Sequence, residues 1–351
     1  MVGSLVERET ITGGGDGQVS DGGGRNDIGA AAPIRLGVMG CASVAKRRVL
    51  PAVTAAQGIY LGAVASRTLS KAAEMVEHFG GEPVHGYQSL LERSDVDAVY
   101  IPLPPALRAE WITNALLAGK HVLAEKPLTT SAKETAELVE LAEKRRLVMM
   151  ENFMFPQHSL HATVRRLLSE GTIGTLRGFA STFAIPERAK DDIRYRAELG
   201  GGALLDVGGY PLRAAQIFLG HGLEVQGASL WQDNELGVDV NGAALLVGSQ
   251  GVAAQLSFGL AHAYTSQYRF IGSTGRLAVD HVFTTPPWHQ PVVRLARQDQ
   301  REQLTLPADN HFVNSVELFA DAIHGRSTLD SDVVIEQARL IDDIRSRAES
   351  A

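Results

Sequence analysis

The fold is decided by residues 34–45, which read IRLGVMGCASVA. The first six, Ile34 to Met39, are mostly apolar and β-prone, as is typical of a buried parallel strand. The next six form a Gly-x-Ala-x-x-Ala pattern, which departs from Gly-x-Gly-x-x-Gly at two places. Small residues still let the backbone approach a pyrophosphate and the next helix pack on the strand. A small-residue turn without a ligand is the alternative interpretation.

The neighbouring sequence completes a βαβ unit. A helical stretch from about Val44 to Ala56 is followed by a second strand, Ile59 to Ala65. This order of elements is the context in which the glycine pattern binds a dinucleotide. The predicted pyrophosphate-binding residues are Gly40, Cys41, Ala42 and Ser43.

The end of the second strand indicates which dinucleotide binds. NAD enzymes place Asp or Glu there to accept hydrogen bonds from the ribose 2′-hydroxyl. This chain instead reads Ser66-Arg67-Thr68. The guanidinium of Arg67 suits a 2′-phosphate, with Ser66 and Lys71 as further candidates, so we predict NADPH/NADP as the cofactor. An ordinary exposed arginine is the alternative.

The same alternation of strands and helices continues to residue 124. It predicts a doubly wound parallel sheet whose ligands bind at the carboxyl ends of the strands. Leu103 and Glu125 follow two of these strands and are further candidates for cofactor binding. The predicted elements are a helix from Ser70 to Phe79, a strand from Asp97 to Pro102, a helix from Leu107 to Ala118 and a strand from His121 to Ala124.

Two further motifs point to a family. Glu125-Lys126-Pro127 ends the last of these strands and places an ionisable lysine in the cofactor cleft, and GGGALLDVGGY follows at residues 200–210. With the glycine pattern, they resemble the glucose-fructose oxidoreductase, inositol dehydrogenase and MocA family over residues 34 to 351. The resemblance implies a second domain with an open sheet, whose inner face closes the active site and whose outer face often makes the oligomer.

We therefore predict an α/β Rossmann domain with a doubly wound parallel sheet, followed by an α+β domain with an open, mainly antiparallel sheet. Residues 1–33 are interpreted as a disordered Gly-rich leader, 34–151 as the NADP-binding domain and 152–351 as the substrate and oligomerisation domain. The second domain contains a predicted helix from near Asp206, and a last helix, Val333 to Ala348, packs back on the first domain. Its predicted strands are Thr175 to Ala184, Leu223 to Gln232, Ala243 to Val247 and Val252 to Phe258.

The family resemblance also implies the catalytic residues, Lys126 and Tyr210. Many sugar dehydrogenases of the family carry histidine at the position of Tyr210. Because a tyrosine of pKa about 10 is protonated at neutral pH, it suits proton donation, which favours reduction of a ketone. We favour Lys126 as the proton donor and Tyr210 as a partner of the same oxygen. The alternatives are a lysine that only binds the nicotinamide ribose and a tyrosine that merely packs.

Residues 151–158, ENFMFPQH, together with Cys41-Ala42 and Arg47-Arg48, resemble the C-3-ketoreductases of nucleotide-deoxysugar biosynthesis. That resemblance implies NADPH-dependent reduction of the C-3 ketone of TDP-3,4-diketo-2,6-dideoxy-D-glucose, in antibiotic biosynthesis. An equally weighted alternative is that the charged residues of these segments are only solvated and that the aromatic residues belong to the core. The candidate substrate-binding residues are Arg47, Asn152, Phe155, His158, Arg194 and Tyr210.

The loop after the strand that ends at Pro102 departs from the family. Many members have Asn at the position of Pro105 and His at that of Arg108, which puts cofactor contacts in that loop in doubt. The histidines show no spacing with carboxylates or thiols that indicates zinc, so we expect no metal.

Composition excludes other classes. The net charge of −7 argues against nucleic acid or an anionic membrane as the main partner, the single cysteine excludes an internal disulfide, and no apolar run approaches a bilayer span. We expect a cytoplasmic homo-oligomer, a dimer or tetramer, that acts on a TDP-ketosugar. Two rival functions stay open: a free-sugar or polyol dehydrogenase of the same family, and a non-catalytic NADP-binding regulator.

Overall fold

The computed structural model describes residues 32–349, so all but the last two residues of the predicted leader lie outside it. Its first domain is a six-stranded parallel sheet with the order β3-β2-β1-β4-β5-β6. Strand order reverses between β1 and β4, which creates the crevice where dinucleotides bind. The doubly wound prediction is confirmed. The strands are β1 (Ile34–Met39), β2 (Ile59–Ser66), β3 (Glu82–His85), β4 (Ala98–Ile101), β5 (His121–Glu125) and β6 (Met149–Asn152).

Helices connect these strands and differ from prediction in two places. The helix predicted over residues 44–56 begins as a π-helical turn, Ala45–Val49, and continues as α1. The short pair β3 and α3 was not predicted, because β3 reads Glu-Pro-Val-His and lacks an apolar pattern; its proline is tolerated at the sheet edge. The helices are α1 (Leu50–Ala55), α2 (Leu69–Phe79), α3 (Tyr87–Leu91), α4 (Pro105–Leu117) and α5 (Ala132–Arg145).

The second domain is an eight-stranded sheet with the order β14-β13-β12-β11-β7-β10-β9-β8. Only β7 and β10 pair in parallel, and the two outermost strands do not pair with each other, so the open, mainly antiparallel prediction is confirmed. The strands are β7 (Leu176–Ala184), β8 (Glu224–Asp233), β9 (Val238–Val247), β10 (Ala253–Gly259), β11 (Thr265–Gly272), β12 (Arg276–Asp280), β13 (Val292–Arg297) and β14 (Gln300–Thr305).

One face of this sheet is covered and the other is open. Alternate side chains such as Phe179, Leu256 and Phe270 enter a core that also contains apolar residues of α6 (Ser159–Ser169) and α7 (Gly209–Leu219). On the opposite face, Leu245 and Ile271 stay exposed. Within the described chain, no helix covers that face.

Two C-terminal helices return to the first domain. Phe319 of α8 (His311–Ile323) lies in the same apolar core as β1 and α1. The last helix, α9 (Ser331–Glu349), contacts the first domain where Asp342 accepts a hydrogen bond from the main-chain N–H of Ala132, at 2.9 Å. The domain boundary after residue 151 stays a prediction; in the structure β6 extends to Asn152, and α8 packs in the core of the first domain. No helix among residues 32–349 is long and apolar enough to cross a membrane.

Candidate active site

Lys126 and Tyr210, which come from different domains, meet in one place. Lys126 follows β5, and its ammonium donates to the main-chain oxygen of Asp206 at 2.5 Å and to Oδ1 of the same residue at 3.1 Å. The same nitrogen lies 5.1 Å from the centre of the Tyr210 ring. Only 11% of the lysine side chain is exposed. The structure thus brings together the two residues that the sequence predicted to be catalytic.

Asp206 is a residue of this site that the sequence analysis did not assign a role. Its Oδ2 accepts a hydrogen bond of 2.7 Å from Nε of Arg194, so the carboxylate lies between two cations. Burial disfavours its charge, but Lys126 and Arg194 outweigh burial and lower the pKa of Asp206 to about 2. The carboxylate is therefore ionised across the physiological pH range and provides a fixed counter-charge for Lys126.

The glycine run before Asp206 explains its position. Gly202 has a φ of +112°, and a Cβ there would lie 2.3 Å from Oδ1 of Asp239. The other oxygen of Asp239 accepts from the main-chain N–H of Leu204 at 2.7 Å, where a π-helical turn, Leu204–Gly208, begins. Because Asp206 and Tyr210 are four residues apart across this turn, both side chains face Lys126.

Tyr210 is held in an aromatic pocket, with 6% of its surface exposed. Its ring centre lies 4.6 Å from that of Phe183, 4.9 Å from that of Phe153 and 5.6 Å from that of Phe283. Within residues 32–349 its hydroxyl has no hydrogen-bond partner. Burial and the nearby charges of Asp206 and Glu125 raise the pKa of Tyr210 well above its ordinary value. The Tyr210 hydroxyl is therefore protonated, and it is free to donate a hydrogen bond to a bound ligand.

Glu125 and Asn152 support the site from below. Oε1 of Glu125 accepts hydrogen bonds of 2.7 Å from both the Tyr100 hydroxyl and the Asn152 amide. The oxygen of that amide accepts from the Ser315 hydroxyl at 3.1 Å. Asn152 was predicted to bind substrate, but it is 2% exposed and its hydrogen bonds lie inside the protein. In this structure it orients Glu125.

The other predicted substrate residues divide between core and surface. Phe155 is fully buried, with its ring centre 5.7 Å from that of Tyr210, and His158 is buried beside His311. Both lie in the core of the second domain, and their predicted contact with substrate stays a prediction. Arg194 lies in the site but is paired with Asp206 as well as with Asp192. Arg47 is exposed and has no ion-pair partner within residues 32–349, so its predicted role stays a prediction.

The predicted pyrophosphate turn, residues 40–43, has the backbone that a dinucleotide needs. Gly40 has a φ of +106°, which favours glycine, and a Cβ there would lie 3.3 Å from Leu103. Cys41, Ala42 and Ser43 follow with their side chains partly or fully exposed. This turn and Leu103 therefore border one space at the carboxyl ends of β1 and β4.

The residues predicted to bind the 2′-phosphate lie at and just after the end of β2, where Ser66 and Lys71 are near Cys41 and Arg67 is near Tyr87. Cys41 donates to the main-chain oxygen of Lys71 at 3.4 Å, and Ser66 accepts from the N–H of Thr68 at 3.1 Å. Arg67 stands between Ser66 and Thr68 in the sequence. The residues therefore fit a cofactor with a 2′-phosphate, because they supply cations, a hydroxyl and a positive-φ glycine turn where the fold binds the dinucleotide.

Tyr87 is a second residue of this region that sequence reasoning missed. It begins α3, directly after β3, which pairs with the end of β2. Burial raises the pKa of the phenol, and Arg67 beside it opposes that rise. Its ring packs edge-on against Trp111, with ring centres 5.1 Å apart. No sequence signal was available for Tyr87, because β3 itself was not predicted.

Arg108 has a structural role in the loop after β4. It is buried, and it donates from Nε to the main-chain oxygen of Leu103 at 2.7 Å and from Nη1 to that of Pro127. Burial lowers its pKa to about 10, although the charges of Glu125 and Glu151 oppose this shift. Arg108 thus connects the loop that contains Leu103 to the loop that contains Lys126.

Fold and site together define the class. A switch point between β1 and β4, a glycine turn, cations at the end of β2 and a lysine facing a tyrosine are the parts of an NADP-dependent oxidoreductase. Among residues 32–349, no group of three or more histidine, cysteine or carboxylate side chains is arranged to hold a metal ion.

Comparison with known proteins agrees with this class. Residues 34–153 match the description "Oxidoreductase family, NAD-binding Rossmann fold", and residues 161–278 match "GFO/IDH/MocA C-terminal domain". The chain is also similar to individual proteins, two of which are named dTDP-3,4-didehydro-2,6-dideoxy-alpha-D-glucose 3-reductase. The relative from Actinomadura kijaniata is 52% identical, and the match covers 91% of this chain and 96% of the relative. The one from Streptomyces violaceoruber is 49% identical, covering 90% and 95%. The chain belongs to the GFO/IDH/MocA family.

A solved structure is similar as well. It is the crystal structure of KijD10, a 3-ketoreductase from Actinomadura kijaniata, in complex with NADP and TDP-benzene. The two chains superpose with a TM-score of 0.88 at 52% identity, covering 90% of this chain and 98% of the other. The likeness therefore extends over both domains.

Replacing Arg67 by Asp tests the cofactor assignment. The change removes a charge-assisted contact with the 2′-phosphate and adds repulsion, so the dissociation constant for NADPH should rise by about 10- to 100-fold. The constant for NADH, which lacks that phosphate, should change by less than about threefold. Both constants are measured by fluorescence titration of the purified protein.

Arg165→Asp is the matched control, since it makes the same change of charge on α6 of the second domain. It should alter neither constant. Equal weakening of NADPH and NADH by Arg67→Asp would contradict the assignment and direct attention to Ser66 or Lys71.

Proposed function

We propose that the chain reduces the C-3 ketone of TDP-3,4-diketo-2,6-dideoxy-D-glucose with NADPH, giving the 4-keto-2,6-dideoxy sugar nucleotide. The observation that carries the proposal is the contact of Lys126 with Asp206 and Tyr210 at the cofactor crevice. The substrate class rests on similarity to relatives of that name and to KijD10, whose complex contains TDP-benzene. The proposal places the chain in deoxysugar and antibiotic biosynthesis.

Lys126 supplies a positive charge and a proton at the reacting oxygen. The bound nicotinamide supplies the hydride, and the lysine lies at the carboxyl end of β5, where the fold places the cofactor. As the carbonyl carbon accepts hydride, negative charge develops on its oxygen. The ammonium stabilises this charge and donates the proton. Asp206, ionised and fixed by Arg194, holds the Lys126 nitrogen in position before and after the proton is transferred.

Tyr210 is the second donor to the same oxygen. Its hydroxyl is not engaged by the described residues, and its ring is fixed by Phe153, Phe183 and Phe283. Because burial and the Asp206 charge keep the phenol protonated, it acts as a hydrogen-bond donor and not as a base. This property favours ketone reduction over alcohol oxidation, which requires a proton acceptor.

The rival functions fit these observations less well. A free-sugar or polyol dehydrogenase needs a base where the chain has a protonated tyrosine. A non-catalytic NADP-binding regulator has no need for a lysine, an ionised carboxylate and a free phenol assembled across two domains. An assay that compares a TDP-ketosugar with free sugars distinguishes both rivals from the proposed function.

We also propose that the enzyme is a cytoplasmic homo-oligomer that associates through the open face of the second sheet. That face is uncovered within residues 32–349 and forms a concavity of about 860 Å³ lined partly by arginines. The exposed apolar side chains of Leu245, Ile271 and Trp231 lie on the same sheet. A second copy of the chain would remove them from water.

The reaction is tested by NADPH oxidation with freshly generated TDP-3,4-diketo-2,6-dideoxy-D-glucose. We expect absorbance at the nicotinamide band to fall in proportion to substrate, and mass spectrometry to find a product two mass units heavier than the diketo sugar nucleotide. D-Glucose, D-xylose and myo-inositol with NADP⁺ are the controls and should give no reduction of cofactor. Turnover of a free sugar without turnover of the TDP-ketosugar would establish the dehydrogenase alternative, and turnover of neither would support the regulator.

Replacing Lys126 by Met tests the proton donor. Methionine keeps the length of the side chain but removes charge and proton, so single-turnover hydride transfer should fall by about 100-fold or more. The affinity for NADPH should fall less. Tyr210→Phe removes one hydroxyl while Lys126 remains, so its rate should fall less than that of Lys126→Met.

The rates are measured by stopped flow with saturating NADPH, which separates chemistry from binding. Tyr268→Phe is the matched control for Tyr210→Phe and should leave the rate unchanged, because it also removes a buried phenolic hydroxyl, here one bonded to His161 in the core of the second domain. A nearly inactive Tyr210→Phe enzyme beside an active Lys126→Met enzyme would reverse the assignment and make tyrosine the acid.

A further inference from the structure

Arg108 is a buried cation that the reaction described above does not use. It lies in the first turn of α4 and is 5% exposed. Its Nε donates to the main-chain oxygen of Leu103 at 2.7 Å, and its Nη1 donates to that of Pro127. Within the described chain, both of its hydrogen bonds go to main-chain oxygens and neither goes to a carboxylate. A guanidinium, with several donors in one rigid plane, is suited to joining two separate loops in this way.

The two loops that this arginine joins both lead to the active site. Pro127 follows Lys126, so its position determines where the lysine side chain begins. The other loop leads into α4, which begins at Pro105. Thr130, three residues after Pro127, is held from a further side, because its main-chain oxygen accepts from Nη1 of Arg345 on α9 at 3.0 Å. The start of α4 and the segment that carries the lysine are therefore kept at a fixed separation.

Gly200 of the second domain lies in the gap between these two loops. A Cβ at Gly200 would lie 2.9 Å from Cβ of Pro105 and 3.0 Å from Cγ2 of Thr130. Its φ of +78° also favours glycine. The gap between Pro105 and Thr130 therefore receives the second domain closely, and it has no room for a larger residue.

The residues that follow Gly200 build the counter-charge of the active site. The main-chain N–H of Gly202 donates to the main-chain oxygen of Arg194 at 2.8 Å, and that of Asp206 donates to Gly202 at 3.0 Å. The side chain of Arg194 in turn holds the carboxylate of Asp206, which accepts from the ammonium of Lys126. The position of Gly200 thus determines where the carboxylate lies relative to the lysine.

We propose that Arg108 is a positioning residue for the ketone reduction, which holds Lys126 through Pro127 and holds Asp206 through the gap that receives Gly200. This inference rests on the proposed function and adds to it a residue that acts through others. Hydride and proton transfer require closely aligned groups, and a displacement of about 1 Å can cost as much as about 100-fold in rate. Loss of either hydrogen bond of the arginine should therefore slow the reaction.

Replacing Arg108 by Met tests the proposal from the first domain. Methionine keeps a long unbranched side chain but removes both donors, so single-turnover hydride transfer with saturating NADPH should fall by about 10- to 100-fold. The dissociation constant for NADPH should rise by less than about threefold, because the change acts on alignment and not on binding. Arg108→Lys keeps the charge but offers one donor atom in place of two. Its rate should lie between those of Arg108→Met and the unaltered protein.

Replacing Gly200 by Ala tests the same gap from the second domain. The added methyl group should slow hydride transfer by about 10-fold. Because both substitutions act on one gap, the double variant of Arg108→Met and Gly200→Ala should be slowed by clearly less than the product of the two single effects. Effects that multiply would show that the two residues act independently, and this result would overturn the proposal.

Lys120→Met is the matched control for Arg108→Met. Lys120 is also a buried cation of the first domain, and its ammonium donates to the main-chain oxygens of Arg93 and Val96 at 2.6 and 2.7 Å. It precedes β5, at the end of the strand away from Lys126. The control should lower the temperature of unfolding but leave the rate within about twofold. An equal loss of rate in both variants would show an effect of stability alone and would overturn the proposal.

Hydrogen exchange measured by mass spectrometry tests the positioning without the reaction. In protein without ligands, Arg108→Met should speed exchange of the amides of residues 200–206 by about 10-fold or more, and Lys120→Met should leave it unchanged. Unchanged exchange there in Arg108→Met would overturn the positioning role, whatever the substrate is. Failure of the unaltered protein to reduce the TDP-ketosugar would instead contradict the proposed function, and the exchange measurement would still decide the role of Arg108.

Discussion

The carboxylate of Asp206, held between Lys126 and Arg194, is the interaction on which the site depends. It requires β5 of the first sheet to deliver the lysine and the glycine run of the second domain to deliver the carboxylate. Both domains must therefore be correctly folded and docked before the contact exists. With its pKa lowered to about 2, the carboxylate never loses its charge under working conditions. The site is preorganised for a reaction in which positive charge must already be in place when the oxyanion develops.

A buried network of charged and polar side chains also holds the two domains together. Glu151 at the end of β6 accepts from Arg213 of α7 at 2.7 Å, and this arginine donates to Gln337 of α9 at 2.5 Å. The other oxygen of Glu151 accepts from the N–H of Leu128, two residues beyond Lys126. Removing one partner of such a pair would leave a buried charge, at a cost of about 3–5 kcal/mol. The chain segment that carries Lys126 is thus held by side chains from three elements that are distant in sequence.

Much of this architecture was predictable because its signals are local. Strand β1, the glycine turn and Arg67 are adjacent in sequence, and Lys126 and Tyr210 lie in recognisable motifs. The other residues of the site could not be predicted, because their roles depend on tertiary packing. Tyr87 follows an edge strand without an apolar pattern, and Asp206 gains its role only through contacts across the domain interface. A core position for Phe155 was one of the stated alternatives, whereas burial of Asn152 was not predicted, because the sequence does not show which way a side chain points after the chain turns into the second domain.

The most direct test of the central claim is the position of the transferred hydride. The protein is incubated with NADPH carrying deuterium at both C-4 positions and with TDP-3,4-diketo-2,6-dideoxy-D-glucose, and the product is examined by NMR. The account predicts one deuterium, bound to C-3 of the sugar, with the C-4 ketone retained. Deuterium at C-4, or a product without deuterium, would contradict it.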